Sequence, residues 1–302
     1  MPTTRKLAQL FRAIAAEDVA GATAIAQELC KSEEQKGHRS AARLLRGALM
    51  SSGSNGGINP RIPTQGSANV LLSTALVHLT ENRTLTDVML SAALRQELRD
   101  VIKEWTNRAT LQKHGINPRS KLLFHGPPGC GKSLTARTIG NELNLPVFLV
   151  RFDAVIGSFL GQTAGHLRQL FHFAEIHPCV LLLDELDALG KRRGNPLDVG
   201  ELDRIVIALM QELEHSAPTG LIIATSNLAR HLDDALWRRF DLALEFKAPS
   251  SQVLRPFANR LAKIHRVDLP PKVIQDALRA RSFATAESIV ISETRRQILD
   301  NA

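Results

Sequence analysis

One run of eight residues limits what this chain can fold into more than any other feature. Gly126-Pro127-Pro128-Gly129-Cys130-Gly131-Lys132-Ser133 fits the pattern G-x-x-x-x-G-K-[ST]. The glycines let the backbone curl so that successive N–H groups converge on one anion. A helix starting at the end of the loop adds the positive end of its dipole. In such a loop the lysine reaches the outer phosphates of a nucleotide and the hydroxyl ligates Mg²⁺. The arrangement needs a buried strand before it and a helix after it. Both are legible: residues 122–124 are apolar, and residues 133–143 carry helical spacing.

From Lys121 onward, short apolar runs alternate with amphipathic stretches. Residues 122–124, 147–150, 180–183 and 221–224 read as buried parallel strands, with 242–246 a weaker fifth. Helices are predicted near 133–143, 163–176 and 201–214, with a short one at 233–239. This alternation predicts an α/β fold: a five-stranded parallel sheet covered on both faces. Beyond Pro249 only helical patterns remain, notably at 251–265 and 271–281, which predicts a small C-terminal helical lid. Residues 5–30 and 39–50 also carry helical spacing, and 51–57 are rich in Gly and Ser. The expected organisation is an N-terminal helical module (1–52), a linker (53–84), an α/β core (85–247) and a lid (248–302).

Two acids follow the third strand, Asp184 and Glu185. Acids at the carboxyl end of a parallel strand face the ligand crevice. Asp184 is expected to hold Mg²⁺ through water, beside Ser133 as a direct ligand, and Glu185 to act as the base that orients attacking water. The next strand ends in Thr225-Ser226-Asn227. A polar amide at that strand end, Asn227, can reach both the γ-phosphate and the water.

Together these residues resemble the AAA family of ATPases, near the membrane-bound bacterial protease ATPases and the katanin-like remodellers. The resemblance runs from about Leu85 to Glu287 and implies an AAA+ phosphate-loop NTPase core. Gly-Pro-Pro-Gly-x-Gly-Lys is the family's form of the loop, and Asp184 to Leu189 resembles its continuation after the acids. The implied nucleotide contacts are Asp87 and Val88, whose segment holds adenine by its backbone, and Gly126, Pro127, Pro128, Gly129, Cys130, Gly131, Lys132, Ser133 and Leu134. Asn227 matches sensor 1, and Glu287 stands at the sensor 2 position, where many helicase loaders carry Arg. Residues 232–241 resemble the second region of homology, which makes Arg238 and Arg239 arginine fingers for a neighbouring subunit. A hexameric homo-oligomer is therefore implied. Ser158-Phe159-Leu160-Gly161 resembles the pore loop of peptide-threading members, so Phe159 and Leu160 would grip a protein or peptide substrate. The family's usual Glu is Gln162 here.

The cofactors expected are ATP and Mg²⁺. No His-Glu-x-x-His is present, so proteolysis would need a separate peptidase partner. No apolar run reaches the roughly 18–20 residues of a membrane span, and three cysteines without metal or disulfide spacing point to the cytoplasm. The chain has 38 Lys and Arg against 30 Asp and Glu, a net +8 that raises nucleic acid as an alternative partner. The charge is uneven: residues 181–246 hold seven basic and twelve acidic side chains, and 247–302 hold ten against five. Eleven Phe, two Trp and no Tyr give few stacking platforms for single strands. A nucleic-acid loader or transposition helper, and a nucleotide-gated scaffold, are the competing readings. His166, His172 and His177 lack metal spacing, and Lys191-Arg192-Arg193 reads as a solvated turn or a second channel loop.

Overall fold

A computed structural model of the chain describes residues 67–156, 162–187, 196–228 and 232–300. The expected N-terminal module, the candidate pore residues Phe159 and Leu160, and the Lys191–Arg193 turn lie outside the described residues.

Helix α1 (Ser67–Ala75) runs directly into strand β1 (Leu76–Leu79), followed by α2 (Ala92–Thr106) and α3 (Arg108–Lys113). The core then alternates: β2 (Lys121–His125), α4 (Lys132–Glu142), β3 (Val147–Val150), the single turn α5 (Phe152–Val155), α6 (Gln162–Ile176), β4 (Val180–Leu183), α7 (Pro196–His215), β5 (Leu221–Ser226), the short α8 (Asp234–Trp237) and β6 (Leu242–Glu245). Three helices complete it: α9 (Ser251–His265), α10 (Pro271–Arg279) and α11 (Phe283–Asp300). Among the described residues no helix is long and apolar enough to cross a membrane.

The sheet order is β1-β3-β4-β5-β2-β6. The five expected strands are all present and pair in parallel. The expectation of a five-stranded parallel sheet is corrected by β1, a sixth strand that pairs antiparallel with β3 at the edge. It lies inside the stretch expected to be a linker. No turn residue separates it from α1, and only Leu76 of its four residues is buried, so it carries neither punctuation nor strict alternation.

Alternation along the inner strands divides the core into two layers. Leu123, Leu181, Leu183, Ile222 and Ala224 pack with α6 and α7, through Leu170, Phe171 and Leu209. Leu122, Phe124, Leu182 and Ile223 pack with α2 and α4, through Leu98, Val101 and Ile139. The lid has its own small core of Leu254, Ala258, Leu261, Ala277, Ala286 and Val290. The parallel strands deliver their carboxyl ends to one edge, where registers His125↔Ser226 and Leu183↔Ala224 line up the residues that follow each strand.

Candidate active site

The loop between β2 and α4 needs its glycines. Gly126, Gly129 and Gly131 have φ of 135°, 71° and 92°, a region that costs an ordinary side chain about 1–2 kcal/mol. At Gly126 a Cβ would also overlap the backbone carbonyl of Phe246. At Gly129 it would press on Ser282 and Ala284 of the lid, and the Ala284 N–H donates to the Gly129 carbonyl at 3.2 Å. Lys132 is buried, and its Nζ donates to the carbonyls of Gly126 (2.7 Å) and Pro127 (2.9 Å) and to Asn227 Oδ1 (2.9 Å). Burial pushes its pKa down. Phosphate oxygens can take the place of these acceptors at a charge that is already desolvated.

Beside it lies a cluster of hard oxygen donors. Ser133 Oγ donates to Asp184 Oδ1 at 2.8 Å, and the Thr225 hydroxyl donates to the same carboxylate oxygen. Thr225 Oγ1 in turn accepts the Glu185 N–H at 3.0 Å. Glu185 has φ of 56°, a left-handed conformation for a non-glycine residue, and its side chain is exposed to the cavity it lines. Strain of this kind persists only where the surroundings over-determine it, and it concentrates at functional sites. Asp187 accepts the Asn227 N–H at 2.9 Å, aiming the amide at the loop. Spacing along the chain does not reveal the positioning parts of Thr225 and Asp187; their signal lies in strand register.

These groups line one end of a cavity of about 490 Å³. Val88, Met89 and the lid residues Phe257, Leu261, Ile264 and Phe283 make its apolar side, the kind of surface that takes a flat ring. Asp87, Leu134, Cys130 and Glu287 line it too. Burial raises the Cys130 thiol pKa, which keeps it protonated and poorly reactive. Arg260 of α9 bonds Asp87 at 2.7 Å. Asp87 is held down at about 2, first by hydrogen bonds from the Thr84 N–H and hydroxyl and then by Arg260.

Arg238 and Arg239 stand elsewhere, at the end of α8, and neither lines this cavity. Arg238 is exposed, and its side chain has no hydrogen bond or ion pair among the described residues. Arg239 pairs with Glu214 at 2.8 Å and donates to the Ala235 carbonyl at 3.3 Å. Trp237 sets its ring edge-on to His125, with centroids 4.9 Å apart, tying this turn to the end of β2. Among the described residues no His/Cys/Asp/Glu group is arranged to hold a metal; His166 instead bonds the Val155 carbonyl.

Residues 122–248 match the family model described as "ATPase family associated with various cellular activities (AAA)". An uncharacterized AAA family ATPase of Sinorhizobium fredii, y4kL, is 36% identical over 92% of this chain and 84% of its own length. The chain belongs to the AAA family of ATPases. It hydrolyses ATP. Further AAA relatives match over the core. The proteasome-activating nucleotidase of Thermococcus onnurineus is 32% identical over 65% of this chain and 52% of its own length. The peroxisomal ATPase PEX6 of Kluyveromyces lactis is 35% identical over 54% of this chain and 17% of its own length. The chain thus spans about half of the former and under a fifth of the latter. For an AAA ATPase the adjacent oxygen donors of Ser133 and Asp184 suit Mg²⁺, which prefers oxygen ligands and retains water.

Proposed function

We propose that this ATPase works as a homo-hexameric ring that pulls on protein or peptide substrates. The observation that carries the ring is Arg238: an exposed arginine whose side chain has no hydrogen bond or ion pair among the described residues, outside a cavity whose loop end is served by Lys132 and Asn227. A transferred phosphoryl group spreads charge over three oxygens, and a cation supplied in trans is worth about 10³–10⁵ in rate in GTPases. In a ring, Arg238 and Arg239 of one subunit would face the site of the next.

In this reading the loop N–H groups and Lys132 hold the triphosphate, and Ser133 and Asp184 would hold Mg²⁺, Asp184 through water. Bound there, Mg²⁺ would supply positive charge to offset that of the phosphates. Glu185 takes a proton from water as that water attacks the γ-phosphorus, and Asn227 orients the water. ADP and phosphate leave. Pulling by Phe159, backed by Leu160, rests on the family resemblance and on relatives whose names tie them to proteasome activation. A separate peptidase would be the partner in any proteolysis. The N-terminal module is proposed to choose partners, and the lid, with Glu287 at its cavity edge, to report nucleotide state.

Mixing subunits tests the ring. Arg238→Ala and Glu185→Gln chains should each be nearly inactive, and a mixture should regain activity, because some interfaces pair an intact site with an intact arginine. No recovery in a mixture that forms rings refutes the trans assignment. ATP turnover should rise with an unfolded protein, and Phe159→Ala should abolish that rise. Stimulation by DNA alone would move the reading to the nucleic-acid alternative that the +8 charge favours.

A further inference from the structure

The backbone of residues 84–88 is bonded by side chains from three different elements. Arg95 of α2 donates to the carbonyls of Leu85 and, at 2.9 Å, Val88. Glu142 at the end of α4 accepts the Leu85 N–H at 2.8 Å. Arg260 of the lid donates to the Asp87 carbonyl at 3.0 Å and to its carboxylate at 2.7 Å. The other carboxylate oxygen of Asp87 accepts the Thr84 N–H and hydroxyl at 3.0 and 2.9 Å. Asp87 N–H itself goes to the Thr84 carbonyl at 2.9 Å. After this accounting the Val88 N–H has no hydrogen bond among the described residues, on a residue that is 4% exposed and lines the cavity.

A buried N–H beside a cavity needs an acceptor. An adenine ring nitrogen supplies one, whereas guanine carries an N–H at its matching edge and would meet donor with donor. The position of that donor depends on Asp87, and Asp87 is held from the lid. Arg260 also shares α9 with Phe257, Leu261 and Ile264, the apolar wall of the same cavity. One lid movement therefore brings or removes both the wall and the bond. The ion pair is 42% and 38% exposed, too wet to count for much as a fastening. Its bond to a backbone carbonyl has a use that a fastening does not explain.

We propose that Arg260 is a positioning residue for base recognition: acting through Asp87, it sets the Val88 donor from the lid, so that adenine selectivity depends on where the lid stands. The inference rests on the triphosphate lying at Lys132.

Calorimetric titration of the full chain with ATP, GTP and inorganic tripolyphosphate, each with Mg²⁺, separates the parts. Arg260→Met should weaken ATP about tenfold, an effect of one modest interaction. It should bring the ATP-to-GTP affinity ratio toward one and leave tripolyphosphate affinity unchanged. Arg260→Lys keeps the charge but cannot span both oxygens of Asp87, and should fall between. Asp87→Asn added to Arg260→Met should cost nothing further. Tripolyphosphate affinity falling in step with ATP, or an unchanged ATP-to-GTP ratio, refutes the inference alone. Tripolyphosphate binding that survives Lys132→Ala refutes the phosphate placement and the inference with it.

Discussion

Replacing Thr225 by Val isolates the hydroxyl that joins the two acids. The side chain is 1% exposed and the swap nearly preserves its shape. Both capacities of the hydroxyl are in use, as donor to Asp184 and as acceptor from the Glu185 N–H. Losing it strands that N–H, at about 1–3 kcal/mol if water cannot replace the partner. It also frees Glu185 from φ of 56°, a conformation that costs a non-glycine residue about 1–2 kcal/mol. Both effects push the same way, toward a relaxed backbone and a displaced carboxylate. A misplacement of about 1 Å at reacting groups can cost about 10² in rate.

Thr225→Val is therefore expected to lower kcat about 100-fold, with ATP affinity within about threefold of the parent because Lys132 and the loop are untouched. Its unfolding midpoint should fall by about 2–4 °C per kcal/mol lost. Thr225→Ser keeps the hydroxyl and should stay within a fewfold of full turnover. In a Glu185→Gln background, Thr225→Val should change little, since both act through one carboxylate. Steady-state turnover at saturating ATP, with nucleotide affinity measured separately, decides it. Full turnover by Thr225→Val, or equal damage by Thr225→Ser, refutes the claim that this hydroxyl positions Glu185.

Gly126→Ala should destroy the loop, because φ of 135° and the Phe246 carbonyl both exclude a side chain. Gly115→Ala, at φ of 72° in open space, should cost only about 1–2 kcal/mol in a denaturant titration and leave ATP binding intact. Arg238→Ala and Arg239→Ala should both cut turnover, but only Arg239→Ala should also lower the unfolding midpoint, since its guanidinium bonds Glu214 and Ala235. Equal midpoints would contradict that division.

What the sequence reveals and what it hides divide on a physical line. The loop, the five parallel strands and Asp184-Glu185 are legible because each depends on neighbours in the chain: a glycine spacing, an apolar run, an acid just past it. Strand β1 is hidden because α1 passes into it without a turn and its edge position relaxes alternation. Arg260 reads as one of ten basic residues in an excess at the chain's end, and its partner Asp87 lies 173 residues away.

Thr225 is the sharper case, because the sequence shows both its residue type and its strand. It does not show register. Strands β4 and β5 pair Leu183 with Ala224, so the next residue of each, Asp184 and Thr225, come side by side. Strands β2 and β5 pair His125 with Ser226, which brings Gly126 beside Asn227 and explains why Lys132 can bond both the Gly126 carbonyl and the Asn227 amide. In a parallel sheet a one-residue slip would turn these side chains to opposite faces. Each strand is readable alone as a buried apolar run, but burial on both faces removes the alternation that would reveal register. The geometry of the candidate site is thus a property of how three strands align, and it becomes visible only when their pairing is known.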